Sequence, residues 1–102
     1  MFYFEESSNN RYQETPDDTV LDGLKNSIGT CVIELGIELG IPFSEIQTIM
    51  HDCPKDLKGQ IYNMLIHWKN ISKVKNLRQL MIALKRAKTG GLKYLKDQYK
   101  LS

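Results

Sequence analysis

An all-α bundle of six short helices is the architecture this sequence predicts, on three observations. Apolar residues recur at intervals of three and four, the helical spacing, through six segments between residues 19 and 100. Turn-forming residues divide those segments: Gly29, Gly40, Pro42, Pro54 and Thr89-Gly90-Gly91. The best-patterned segment, Lys55 to Trp68 (KDLKGQIYNMLIHW), sets Leu57, Ile61, Met64, Leu65 and Trp68 on one face at about 100° per residue. Gln60, Asn63, His67 and Asn70 line its polar flank, while Ile66 projects nearly opposite the apolar face, either onto a neighbouring helix or outward as a binding anchor near Tyr62. The chain's single Trp lies here, and each buried large apolar side chain is worth roughly 1.5–3 kcal/mol, so the core is expected to form against this helix.

Taken in order, residues 1 to 18 show no sustained period, hold a Ser-Ser-Asn-Asn cluster and read as a flexible tail or linker ahead of a domain over 19 to 102. Thr19 with Asp22 is a capping signature for the first helix, and Asp17 and Asp18 place negative charge where a helix N-terminus favours it. Val20, Leu21, Leu24 and Ile28 are its inward residues, and Gly29 its stop.

The second helix spans Thr30 to Leu39. Val32, Leu35 and Leu39 share a face, with Ile33 and Ile37 roughly opposite, a pattern that predicts a helix sandwiched between neighbours. The IELG-IELG tandem is one turn repeated. Gly36 costs about 1 kcal/mol against Ala in mid-helix, which makes sense if another helix approaches closely. Gly40 is the C-terminal cap.

Either Pro42 or Ser44 opens the third helix, with Ile46, Ile49, Met50 and Cys53 inward, Glu45, Thr48 and Asp52 outward, and Pro54 as its end. Asp56 can cap the fourth helix. Asn76 with Gln79 opens the fifth, whose core face is Leu77, Leu80, Met81 and Leu84 while Arg78, Lys85 and Arg86 point away. Leu92, Leu95 and Tyr99 mark a short last helix that exposes Lys93 and Lys100.

One hundred and two residues suit one domain, and 41% hydrophobic with 25% charged residues is ordinary for a globular chain. No apolar run approaches the ~18 residues of a membrane span, and MFYFEE has neither the basic start nor the apolar centre of a secretory signal, so an intracellular, cytoplasmic setting is expected. The net charge of +2 hides a strong asymmetry. Residues 1 to 18 hold one cation against five acids, residues 19 to 66 three against six, and residues 67 to 102 ten against Asp97 alone. An acidic front and a basic back make the domain electrostatically complementary to relatives or copies of itself.

Cys31 and Cys53 fall in apolar helical patterns, where free cysteine behaves as a small hydrophobe, and His51-x-Cys53 finds no second ligand pair at structural-zinc spacing. No Ser-His-Asp, Cys-His, paired-carboxylate or phosphate-loop arrangement is visible, so no catalysis, cofactor, metal or small-molecule substrate is expected.

LGIPFSEIQTI at 39 to 49, Pro54 with Asp56-Leu57, Gln60, MLIHW at 64 to 68 and LMIAL at 80 to 84 resemble, in order and spacing, the motifs of the death-domain family. The resemblance covers most of residues 19 to 100. Val32 stands where the family often has Trp, Gly36 where it has Ala, and Pro42 where a polar residue is usual.

The resemblance implies a six-helix antiparallel Greek-key bundle, the death fold, and a non-catalytic adaptor that associates with other death-domain proteins in apoptotic or innate-immune signalling, copies of itself included. Its core is expected at Leu35, Leu39, Ile46, Ile49, Leu57, Ile61, Leu65, Trp68, Leu80 and Leu84. By carry-over, Lys55, Asp56 and Lys58 form one partner-binding patch, Lys85, Arg86 and Lys88 a second, and Glu45 with Asp52 a third; charge alone adds Glu34 and Glu38.

Two other readings compete. Charged outer faces are usually just solvated, with exposed pairs worth about 0–1 kcal/mol. A small helical nucleic-acid-binding domain would use the basic C-terminal half, with residues 39 to 49 loosely like a helix-turn-helix start. Against it, the cations are spread around amphipathic helices, and Glu45 and Asp52 sit on the would-be recognition helix. A membrane-surface role for the basic last helix is short of apolar area, and no insertion is expected.

Overall fold

Short polar side chains set where the helices begin. The Asp17 carboxylate accepts from the Val20 amide at 2.9 Å, Asp56 from Gly59 at 2.9 Å and Asn76 from Gln79 at 2.9 Å. In the computed structural model, which describes residues 10–29, 31–52 and 54–101, these caps open three of six helices. They are α1 (Asp18–Leu24), α2 (Val32–Glu38), α3 (Phe43–Asp52), α4 (Leu57–Ile71), α5 (Leu77–Arg86) and α6 (Leu92–Gln98), with 3-10 turns at Asn10–Gln13 and Lys25–Ser27.

One start differs from the one the sequence predicts, and at another the structure decides between two alternatives. Asp17, not Thr19, caps α1, and Asp22 instead pairs with the Lys25 ammonium at 2.6 Å. For α3, the Pro42 carbonyl accepts from Glu45 and Ile46 at 2.9 and 3.1 Å, so Pro42 holds the cap position and Ser44 lies within the first turn.

Three helix ends share one device. At α2 the Ile41 amide bonds back to the Gly36 carbonyl and Gly40 to Ile37, both at 3.0 Å, with Gly40 left-handed at φ +82°. The same pair of bonds closes α5 (Thr89 to Leu84, Lys88 to Lys85) and α6 (Leu101 to Lys96, Lys100 to Asp97), but the left-handed residues there are Lys88 (φ 57°) and Lys100 (φ 55°). A side chain with a Cβ is disfavoured in that region. Lys88→Gly should therefore raise stability by roughly 0.5–1 kcal/mol, seen as a higher urea midpoint at unchanged slope.

Packing follows the apolar faces. α4 lies against α1, α2 and α3; α5 packs on α2 and α6; and α6 returns to α1. Leu35, Leu39, Ile46, Ile61, Leu65, Trp68, Leu80 and Leu84 are buried together with Leu21, Leu24, Met64, Leu77 and Leu95. Ile49 is half-buried at the edge of that cluster. The close approach that Gly36 implies is present: a Cβ there would stand 2.8 Å from Ile46 Cδ1 and 3.0 Å from Met64 Sδ.

Three expectations about the interior need correction. Leu57, expected in the core, is 40% exposed. It is the first residue of α4, and a helical Cβ tilts toward the N-terminus, which carries this side chain past the end of the bundle. Ile33 and Ile37, expected to be covered by a second neighbour, are 37% and 53% exposed, because α2 meets α3, α4 and α5 through its Val32, Leu35 and Gly36 side. Gln60, assigned to a polar flank, is instead buried, its amide 3.4 Å from the Met50 carbonyl of α3. Ile66 packs against the edge of the core, as does Tyr62, whose ring lies under the Lys25 ammonium at 5.5 Å.

From residue 10 the chain is tied to the bundle, although the sequence predicts a tail through residue 18. The Leu77 amide donates to the Glu14 carbonyl at 2.7 Å, Arg11 reaches the Tyr99 carbonyl at 2.8 Å, Asn76 meets the Gln13 side chain at 3.3 Å, and Pro16 is buried. Burial pushes the Tyr99 hydroxyl above its ordinary pKa, against the opposing effect of a hydrogen bond with the Asp17 backbone. Residues 1 to 9, including MFYF, and Cys53 lie outside the described residues.

Candidate functional site

Which charges are free to meet a partner depends first on which are already engaged. Lys69 of α4 bonds to Asp18 at the start of α1 at 2.9 Å, and Lys25 is held by Asp22, whose hydrogen bond raises the lysine's pKa. Glu45 of α3, expected on a partner-binding face, is hydrogen-bonded across to His67 of α4 at 2.5 Å. That contact also gives His67, which the sequence places on the polar flank of α4, a partner on another helix. The two residues are far apart in sequence and share no local pattern.

The remaining sequence-predicted residues sit at separate places. Lys85 and Arg86, in the last turn of α5, and Lys88 just beyond it are exposed. Their charge lies at the helix C-terminus, where the backbone dipole favours cations. Among the described residues none of these three forms an ion pair. Lys55, Asp56 and Lys58 are exposed at the α3–α4 corner, but one Asp56 oxygen is committed to capping α4. Gly59 keeps room for that cap, since a Cβ there would collide with the Asp56 carboxylate. Asp52 is exposed at the end of α3, and Glu34 and Glu38 are exposed one turn apart on α2 beside Ile33 and Ile37. The fold does not gather these groups into one site.

It does build a cleft that sequence reasoning missed. Tyr12 of the N-terminal turn, Arg78, Met81, Ile82 and Lys85 of α5, and Leu92 and Lys96 of α6 line an open cleft of about 380 Å³. Arg78, Lys85, Met81 and Ile82 share one side of α5 by helical spacing, which was legible; the walls from Tyr12 and Lys96 were not, because they come from distant segments.

Among the described residues no group of His, Cys, Asp and Glu could hold a metal, His51 is exposed, and no helix is long and apolar enough to cross a membrane. No curated protein and no solved structure matches the chain. The family model for the Death domain matches residues 18–93, from the first residue of α1 into the start of α6. With six helices, no strand among the described residues, and that match over most of its length, the chain belongs to the death-domain family.

Proposed function

We propose that this death domain is a non-catalytic adaptor module that joins other death-domain proteins through charged surface patches, in apoptotic or innate-immune signalling in the cytoplasm. Family membership supports a protein-interaction module. The observation that carries the finer reading is the cation group Lys85, Arg86 and Lys88, exposed at the C-terminal end of α5 and without ion pairs among the described residues. Exposed acids on other elements, Glu34, Glu38 and Asp52, supply the opposite charge, and the Lys55–Lys58 corner a further contact. Unlike patches on different faces favour asymmetric contacts, which can extend beyond a closed pair.

Nucleic-acid binding is less well supported. The helix that would enter a groove, α3, carries Glu45 and Asp52 and no Lys or Arg, and Glu45 is turned to His67.

The test is the double reversal Lys85→Glu/Arg86→Glu. Both side chains are exposed, so the helical spectrum should be retained, and stability should fall by no more than the roughly 0.3–1 kcal/mol per charge that the helix dipole supplies. Capture of death-domain partners from a panel should fall by about tenfold or more, and more steeply at low salt. Unchanged capture would remove this patch from the reading.

A further inference from the structure

The cleft between the N-terminal turn, α5 and α6 has a defined chemistry. Its lining joins the half-buried apolar side chains Met81, Ile82 and Leu92 to three cations, Arg78, Lys85 and Lys96. None of the three forms an ion pair with a described residue. A surface of that kind fits an element that is apolar along one line and acidic beside it.

One such element is on this chain. The outer face of α2 shows Ile33 and Ile37, one turn apart and substantially exposed, and Glu34 and Glu38 beside them, also one turn apart. Among the described residues these glutamates have no ion pair either. Paired isoleucines left open on a helix signal a contact surface more than an isolated exposed apolar residue does.

We propose that the α2 ridge of one copy seats in the α5–α6 cleft of a second copy, with Ile33 and Ile37 against Met81, Ile82 and Leu92 and Glu34 and Glu38 among Arg78, Lys85 and Lys96. The inference rests on the homotypic reading above and names the partner and both surfaces. Ridge and cleft are different surfaces of the same chain, so the contact is heterologous. Each joined pair still offers one ridge and one cleft, and association continues copy by copy without closing into a twofold dimer.

Sedimentation of the full chain with no other protein present tests this. Wild type should show mass that grows with concentration and shrinks with added salt. A ridge variant, Glu34→Lys/Glu38→Lys, and a cleft variant, Lys85→Glu/Lys96→Glu, should each stay monomeric with an unchanged helical spectrum, because each presents two surfaces of like sign. Mixed one to one they should associate again, the intact cleft of the first taking the intact ridge of the second. A mixture that stays monomeric, a single variant that associates as wild type does, or a wild type monomeric at every concentration would overturn the proposal. A monomeric wild type that still captures other death domains would sink only this inference; self-association without any such capture would sink the broader reading instead.

Discussion

Trp68→Ala should destabilise the domain by about 3–5 kcal/mol, a large share of the roughly 5–15 kcal/mol that separates a folded domain from its unfolded chain. Trp68 is 2% exposed and belongs to the cluster in which Leu21, Leu65, Leu80 and Leu84 are fully buried. It lies within a close-packed cluster on the helix that touches α1, α2 and α3, so truncation leaves a void that its neighbours fill only in part. Urea unfolding followed by circular dichroism reads the loss, since the fluorophore itself is removed. Leu57→Ala on the same helix is the comparison. Its side chain is already substantially in water, and its loss should amount to about 1 kcal/mol or less. Equal costs at the two positions would contradict the arrangement of α4.

Gly91→Ala should cost about 2–4 kcal/mol, the sum of backbone strain and overpacking. Gly91 has φ +113°, a conformation L side chains rarely adopt, and a Cβ would stand 2.6 Å from Cδ1 of the fully buried Leu24. It also starts α6, its carbonyl accepting from the Leu95 amide at 3.0 Å. The melting temperature should fall by roughly 4–8 °C for each kcal/mol in a domain of this size. Gly29→Ala is the control: nothing lies within 4 Å of its Cβ position and its φ is ordinary, so its melting temperature should stay close to wild type.

Features written within one helical turn were legible in the sequence. The caps at Asp56 and Asn76, the left-handed stop at Gly40 and the close approach at Gly36 each rest on residues three or four apart, or on the properties of one glycine. Helical periodicity placed Trp68 and Leu84 inside for the same reason. What periodicity cannot show is where a face runs out of neighbours. Leu57 continues the apolar stripe of Ile61 and Leu65 but lies beyond the helices that cover them, and Ile33 and Ile37 satisfy an amphipathic rule with nothing across from them. The candidate site was less legible than the fold. Exposed cations on α5 could be named from spacing, but the engagement of Glu45 by His67 and the wall that Tyr12 adds to the cleft join residues with no common period.

The bond from the Leu77 amide to the Glu14 carbonyl bears on where this unit begins. Leu77 is fully buried, and its amide belongs to the first turn of α5, where no partner exists within the helix. The partner comes from before residue 18, where the family match starts. At the other end the match stops at residue 93, inside α6 and ahead of the fully buried Leu95. Bonded and buried residues of the bundle therefore lie on both sides of the segment that the family model matches. A fragment trimmed to residues 18–93 would leave a buried donor unanswered, cut its last helix short, and lose both Tyr12 and Lys96 from the cleft.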